Sequence, residues 1–348
     1  MFYLCMQKLN PSTILYTPDA LNARGLQALA TYPEATREEI KQHNRLPALD
    51  GNHFQVKSNV LVLGRLKTLV CKESGRSSDF ISPSLANGCL GACAYCYVDR
   101  NKSVNPITLF TNTEEILAAV DKHVQKQVWP KVPNQTHPLY YTYDIGCNSD
   151  VSVDASISDN VQVAIDFYRR HPKAFATFAT KFVNPDLLTY DPQQKVRIRF
   201  SLLPHKVSKL VDVRTDSVEK RIAAINDFYQ AGYEVHVNFS PVIFYEGWLD
   251  DYRELFEQLN QSVHPTVKAQ MSCEVIFLTH NFWQHEINLG INPKAEEIIW
   301  TPQTQETKRS QFGGINVRYQ YQLKAQLIEE FKKLQTEVIP WCPIRYIF

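Results

Sequence analysis

The chain has 348 residues, 44% of them hydrophobic, enough for one large globular domain or two small ones. Its formal net charge of +1 excludes a uniformly basic coat, so any surface for a charged partner has to be a local patch. The stretch Met1 to Pro11 is broken by Gln7 and Lys8, unlike a secretory signal, and no run approaches the ~18 apolar residues of a membrane span. Eight cysteines without such a signal point to a reducing, cytoplasmic setting.

Residues 1–56 are mixed and turn-rich, with Pro11, Pro18, Pro33 and Pro47, and read as an N-terminal extension. Residues 57–63 are predicted to form a strand. From Asp79 the pattern becomes strand then helix, repeatedly. Strands are predicted at 80–82, 139–146, 174–182, 195–203, 234–244 and 269–278, and helices at 113–126, 158–170, 217–230 and 248–260. Such alternation implies an α/β fold with a parallel sheet. About six units suit a partial (β/α)6-type TIM barrel better than a closed eight-fold one. The predicted organisation is an N-terminal extension over 1–76, the partial barrel over 77–300, and a C-terminal hairpin and helix over 301–348.

Two strands carry one polar face each. Arg197, Arg199 and Ser201 oppose Val196, Ile198 and Phe200, while His236, Asn238 and Ser240 oppose Val235, Val237 and Phe239. Parallel strands covered on both faces normally read apolar throughout. The pattern predicts a barrel lumen lined for a polar ligand, the alternative being edge strands with a wet face.

The run from Asn87 to Tyr97 holds Cys89, Cys93 and Cys96, spaced Cys-x3-Cys-x2-Cys. Three thiolates on a [4Fe-4S] cube leave one iron open for a small molecule. Gly88 and Gly91 fit a loop wrapped tightly around such a group. A zinc site would need a fourth ligand, usually in a second Cys-x2-Cys knuckle. Here Cys5, Cys71, Cys147, Cys273 and Cys342 are scattered singly. Zinc and a chance grouping stay as alternatives, and a disulfide scaffold fits a long, cysteine-poor chain least.

With this triad inside a strand–helix pattern, the chain resembles the radical S-adenosylmethionine superfamily. More closely, it resembles the spore photoproduct lyase family, nearly end to end. The resemblance is carried by His43-Asn44-Arg45, Lys67-Thr68-Leu69, the cysteine loop ending Tyr95-Cys96-Tyr97, and the run from Asp144 to Asp150. It continues through the run from Ser217 to Ala224, Ala231-Gly232-Tyr233, the run from Ser240 to Ile243, and Glu246-Gly247-Trp248.

That family cleaves 5-thyminyl-5,6-dihydrothymine in DNA back to two thymines. The resemblance implies that Cys89, Cys93 and Cys96 ligate the cluster, whose open iron takes S-adenosylmethionine. It further implies Cys147 as hydrogen-atom donor, Ser149 and Lys181 as cofactor contacts, and Tyr95 and Tyr97 as a radical relay. An electron donor such as a flavodoxin or ferredoxin is also implied. The covalent S–H bond of a thiol is the weakest bond to hydrogen that a side chain offers such a radical, which suits Cys147 to quenching a thymine-based radical. On residue type alone, Cys147 reads as a small buried hydrophobe, Tyr95 and Tyr97 as packing, and Lys181 as a solvated strand end. His280 and His285 read as structural or surface residues, lacking a third ligand nearby in sequence.

Turning a lesion out of a duplex calls for basic groups on phosphates. Lys57, Arg65, Lys67, Lys72 and Arg76 outnumber Glu73 and Asp79 over 57–79. Residues 308–319 read as a hairpin turning at Gly313-Gly314. In the family a hairpin in this region enters the lesion site, so Arg309 and Tyr319 are candidate DNA contacts, the alternative being an ordinary surface hairpin. The helix over 320–336 mixes lysine and glutamate as a solvated face does. The sequence departs from the family at Val98 to Lys102, after the triad, and at Asn148, where threonine is more usual. Two other functions stay open at this point. One is a radical enzyme of the same build acting on another nucleobase adduct or a non-DNA molecule. The other is a non-catalytic, metal-containing nucleic-acid-binding protein.

Overall fold

The computed structural model describes residues 9–98, 105–309 and 314–348. Cys5, the departure at Asp99 to Lys102, and Gly313 of the expected hairpin turn lie outside the described residues. The chain divides into two units. The first comprises Met1–Leu90, Lys102–Arg199 and Asp227–Glu234; the second comprises Gly91–Asn101, Phe200–Asn226 and Val235–Phe348.

The first unit opens with β1 (Thr13–Tyr16), α1 (Ala23–Thr31), β2 (Thr36–Glu39), α2 (His53–Asn59) and β3 (Val60–Gly64). The short strands β4 (Lys72–Glu73), β5 (Phe80–Ile81) and β6 (Ala86–Asn87) follow, then β7 (Ile107–Phe110) and α3 (Thr113–Gln125). Next come β8 (Tyr141–Asp144), α4 (Val151–Asp154), α5 (Asn160–Arg170), β9 (Ala174–Thr180) and the first half of β10 (Val196–Leu202). One sheet runs β2-β1-β3-β7-β6, and a second set of strands runs β9-β8-β5-β4. The pairs β1–β2, β1–β3, β3–β7 and β8–β9 are parallel. Ile14, Leu61 and Leu63 pack into one core, while Leu15, Val60 and Val62 pack into another on the opposite face. A strand covered on both faces reads as a continuous apolar run, as Val60-Leu61-Val62-Leu63 does.

Two expectations are corrected here. The strand predicted over 57–63 begins only at Val60, because Asn52 starts a helix by accepting from the Phe54 and Gln55 N–H groups. Gln55 in turn accepts from the Asn52 N–H, closing a capping box that carries α2 through Lys57. The turn-rich segment before it holds two parallel strands. β2 reads Thr-Arg-Glu-Glu with every residue exposed, so no period of two marks it.

The polar face of β10 is buried. Arg197 Nε donates to Glu234 Oε1 at 2.7 Å, and Arg199 Nη2 donates to Asp144 Oδ2 at 2.7 Å. A wet edge is thereby excluded at these positions.

α4 is a four-residue turn capped by Asp150, whose Oδ1 accepts from the Ser152 N–H at 3.0 Å and the Thr180 hydroxyl at 2.7 Å. Burial pushes the Asp150 carboxyl up to about 6. Asp154, at the end of the same turn, is also fully buried, and burial raises it well above its ordinary value against a bond from Ser149.

The second unit continues from the end of β10 with α6 (His205–Val211), α7 (Val218–Gln230) as far as Asn226, β11 (Glu234–Val242) from Val235, α8 (Trp248–Ser262) and α9 (Pro265–Lys268). It goes on with β12 (Cys273–Phe277), β13 (Thr279–His280), α10 (Phe282–Ile291) and α11 (Pro293–Ile299). The hairpin strands β14 (Gln305–Arg309) and β15 (Ile315–Tyr319), helix α12 (Tyr321–Val338) and β16 (Ile344–Ile347) close it. β12 lies parallel between β11 and β16, and β15 pairs antiparallel with both β13 and β14. Phe331 of α12 meets Phe239, Tyr252, Phe256 and Phe277 with ring centroids 5.2–6.4 Å apart. Its opposite face is solvated, as the charge pattern predicts: Lys332 pairs there with Glu329. No helix among the described residues is long and apolar enough to cross a membrane.

Two stability measurements follow. Arg199→Met removes one partner of a buried ion pair and leaves Asp144 uncompensated, so urea unfolding should show a loss of about 3–5 kcal/mol. An unchanged midpoint would contradict that pairing. The raised carboxyl of Asp154 keeps its proton in the folded state where the unfolded chain, titrating near about 4, has lost it. Stability therefore declines as pH rises from about 4 through the raised value. Asp154→Asn should make unfolding free energy less steep in pH over that range, and an identical slope would show that Asp154 carries no such proton.

Candidate cluster and cofactor site

The cysteine loop leaves β6 at Gly88, whose φ of +94° lies in the left-handed region. A Cβ there would sit 2.9 Å from the Pro106 carbonyl oxygen, so both conformation and space require glycine. The Gly88 N–H donates to the Asn148 carbonyl at 2.9 Å, and Gly88 and Ser149 form a parallel bridge. This pairing lays the segment that carries Cys147 and Ser149 along the start of the loop. Lys57 Nζ donates to the Cys89 carbonyl at 3.1 Å.

In the second unit the loop is fastened again. The Ala92 and Ala94 N–H groups donate to the Val213 and Val211 carbonyls at 2.8 and 2.9 Å. The Cys96 N–H donates to the Cys93 carbonyl at 3.0 Å, and Asn288 Nδ2 donates to the Ala94 carbonyl at 2.6 Å. With the backbone held by these partners, Cys89, Cys93 and Cys96 remain as partly exposed thiols outside any disulfide. That donor set fits a [4Fe-4S] cluster held by three cysteines.

Cys147 is also a partly exposed thiol, not the buried hydrophobe its residue type suggests. Ser149 Oγ donates to Asp154 Oδ2 at 2.5 Å. The Lys181 N–H donates to Asp150 Oδ2 at 3.0 Å, which fixes the chain just beyond β9. Asp150 thus joins the turn after Ser149 to the backbone at Lys181, while Ser149 itself is held by Asp154 of the same turn. Asn148 turns its amide to Ser84 Oγ at 2.8 Å.

The two tyrosines differ. Tyr97 is 45% exposed. Tyr95 donates its hydroxyl to Asp212 Oδ1, and enclosure, reinforced by the Asp212 charge, pushes its pKa well above the ordinary value. Asp212 is paired on its other side with the fully buried Arg221, whose Nη1 lies 3.1 Å from Asp212 Oδ2. Arg221 also donates to the Ser201 and Asp216 carbonyls at 2.7 and 2.6 Å. Nothing in the sequence marks Asp212, and Arg221 appears there only within the run from Ser217 to Ala224 that carries the resemblance, with no sign of their pairing.

Two expected DNA contacts face inward. Lys57 is fully buried, so it leaves the basic group over 57–79, in which Lys67, Lys72 and Arg76 are exposed. Tyr319 is 1% exposed, and its hydroxyl oxygen accepts from the Phe244 N–H at 2.8 Å, a role that anchors β15. Arg309 is exposed at the end of β14, opposite Ile315. His280 and His285 acquire the third group that their sequence neighbourhood lacks: Glu296 of α11, bonded to His280 Nε2 at 3.1 Å and His285 Nδ1 at 2.6 Å.

Comparison with known proteins agrees with this geometry. A profile of the spore photoproduct lyase family matches residues 9–348. The spore photoproduct lyase of Bacillus subtilis (strain 168) is 30% identical over 275 residues, covering 76% of this chain and 78% of that protein. The spore photoproduct lyase of Geobacillus sp. (strain Y412MC61) is 26% identical over 282 residues, covering 78% and 79%. A solved spore photoproduct lyase double mutant with bound AdoMet and dinucleoside spore photoproduct superimposes with a TM-score of 0.89 at 22% identity, covering 98% of this chain and 100% of that one. A spore photoproduct lyase complexed with dinucleoside spore photoproduct gives 0.88 at 23% identity over 97% and 99%. This likeness shows the fold, and the expected α/β partial barrel stands with it. Matched over nearly its whole length, the chain belongs to the spore photoproduct lyase family.

Proposed function

We propose that this chain is a radical S-adenosylmethionine carbon–carbon lyase that returns spore photoproduct in DNA to two thymines. Beside family membership, the observation that carries this reading is the pairing of Gly88 with Asn148 and Ser149. It sets a thiol, Cys147, one residue away from backbone bonded to the start of the cysteine loop. The related structures hold AdoMet and dinucleoside spore photoproduct, which supports the same cofactor and lesion here.

Cys89, Cys93 and Cys96 would hold the cluster, with Ser149 and Lys181 at the cofactor. When bound, the cluster and S-adenosylmethionine would supply hydrogen-abstracting radical chemistry at C6 of the dihydrothymine half, which lets the bond between the bases break. The chain then has to deliver one hydrogen atom to the thymine-based radical. Cys147 gives its S–H hydrogen, completing the thymine and leaving a thiyl. Tyr97 or Tyr95 would restore the thiol by giving its O–H hydrogen to the thiyl sulfur, and the phenoxyl left behind would take up the hydrogen that the cofactor first removed from C6. Tyr95 holds that O–H in a bond to Asp212 Oδ1. Arg221 holds that carboxylate in place from the other side.

In the part of the chain over 301–348, exposed Arg309 is placed to meet phosphate, and exposed Lys67, Lys72 and Arg76 offer further basic contacts. A flavodoxin or ferredoxin would supply the electron.

The test is anaerobic. Reconstituted protein is given dithionite, S-adenosylmethionine and a spore-photoproduct dinucleotide, and thymine and deoxyadenosine are separated by chromatography. Thymine release is expected; deoxyadenosine with an untouched dimer would overturn the substrate assignment. Cys147→Ala should keep cofactor cleavage while thymine yield collapses. An undiminished yield would remove Cys147 from the mechanism.

A further inference from the structure

Ala94 lies between the second and third cysteines, and its peptide groups are tied to two different elements. Its N–H donates to the Val211 carbonyl at the end of α6, and its carbonyl accepts from Asn288 on α10 at 2.6 Å. Asn288 stands 194 positions away in sequence and is buried. Its Nδ2 also donates to Glu296 Oε1, and its Oδ1 accepts from Gln284 Nε2 at 3.0 Å. Neither a peptide carbonyl nor a carboxylate can donate, so only the NH2 end of Asn288 can face them both. The amide therefore has one orientation, and every hydrogen it owns is used.

Glu296 is fixed in its turn. It accepts from His280 Nε2 at 3.1 Å and from His285 Nδ1 at 2.6 Å. Trp300 stacks on His285 with ring centroids 4.0 Å apart and planes 11° from parallel. The two histidines and Glu296 lie within 4.8 Å of one another, a spacing that a divalent metal would also accept. The hydrogen bonds argue for the metal-free arrangement. Three donors already satisfy the carboxylate, and His280 Nδ1 is buried without a partner among the described residues, so nothing sets the tautomer that a metal ligand needs.

We infer that Asn288 is a positioning residue for the cluster: buttressed by Glu296, His280 and His285, it holds the turn between Cys93 and Cys96 in ligating shape. The inference rests on the reading of Cys89, Cys93 and Cys96 as cluster ligands. A buried carbonyl deprived of its donor carries the full desolvation penalty, and the turn would relax to find another partner.

The test compares reconstituted wild-type protein with Asn288→Ala, the near-isosteric Asn288→Asp, and Gln335→Ala. Gln335 is a matched control, a buried amide on α12 that donates to the Ile339 and Cys342 carbonyls at 2.9 Å each. Iron and sulfide content, the rate of iron loss to a chelator, and the electron paramagnetic resonance signal of the reduced cluster are recorded beside thermal unfolding. Both Asn288 variants should lose iron roughly five- to tenfold faster, the scale of one lost buried hydrogen bond. Their spectra should also change, while Gln335→Ala loses thermal stability alone. Asn288→Asp keeps the side-chain volume and so supplies the answer if Asn288→Ala does not fold. Wild-type iron release and spectrum in a folded Asn288 variant would overturn the inference. Wild-type protein that takes up no iron would instead sink the ligand reading itself.

Discussion

The backbone pairing of Gly88 with Asn148 and Ser149 is the constraint from which the site is built. It requires a residue that tolerates φ of +94° and carries no Cβ against the Pro106 carbonyl. It also requires the segment after β8 to present a carbonyl at that height. Once made, it holds together two stretches of chain that each carry a partly exposed cysteine, Cys89 and Cys147. A hydrogen atom passes only over a short distance, so a donor thiol is useful only where the backbone sets its distance this firmly.

Within each unit, buried polar groups order the chain beside its apolar core. Asp150 caps α4 and holds the backbone at Lys181; Asp154 anchors Ser149; Asp212 joins Tyr95 to Arg221; Glu296 aligns Asn288. Each is a carboxylate taken out of water, which costs stability unless donors surround it. Asp212 faces the cation of Arg221 and, against burial, Glu296 is lowered by its histidine and amide donors, whereas Asp150, despite three donors, and Asp154 respond to burial with raised proton affinity. Asp154 and Asp212 bond directly to the serine and the tyrosine assigned to chemistry.

Much of the fold is legible in the chain itself. The strands around β8 to β11 and the helices α3, α5, α7 and α8 stand where the apolar period places them, because each has one face or both covered. β2 is invisible to that reasoning, as its four residues are all exposed. α2 is hidden because Asn52 and Gln55 start a helix that runs into the stretch predicted as a strand. At the site, the spacing of Cys89, Cys93 and Cys96 carries its own chemistry, while the role of Cys147 comes from family resemblance. Direction is what composition leaves out. Lys57 and Tyr319 look like surface contacts and turn inward, and Asn288 reaches Ala94 across 194 positions. Such contacts follow from tertiary geometry, which no local pattern records.

The central claim is that three thiolates hold a four-iron cube whose remaining iron is open to S-adenosylmethionine. Mössbauer spectroscopy of protein reconstituted with iron-57, taken with and without the cofactor, addresses it most directly. The account predicts that one iron in each cube changes its isomer shift when S-adenosylmethionine is added, while the other three do not. Four irons that respond alike, or none that responds, would contradict it.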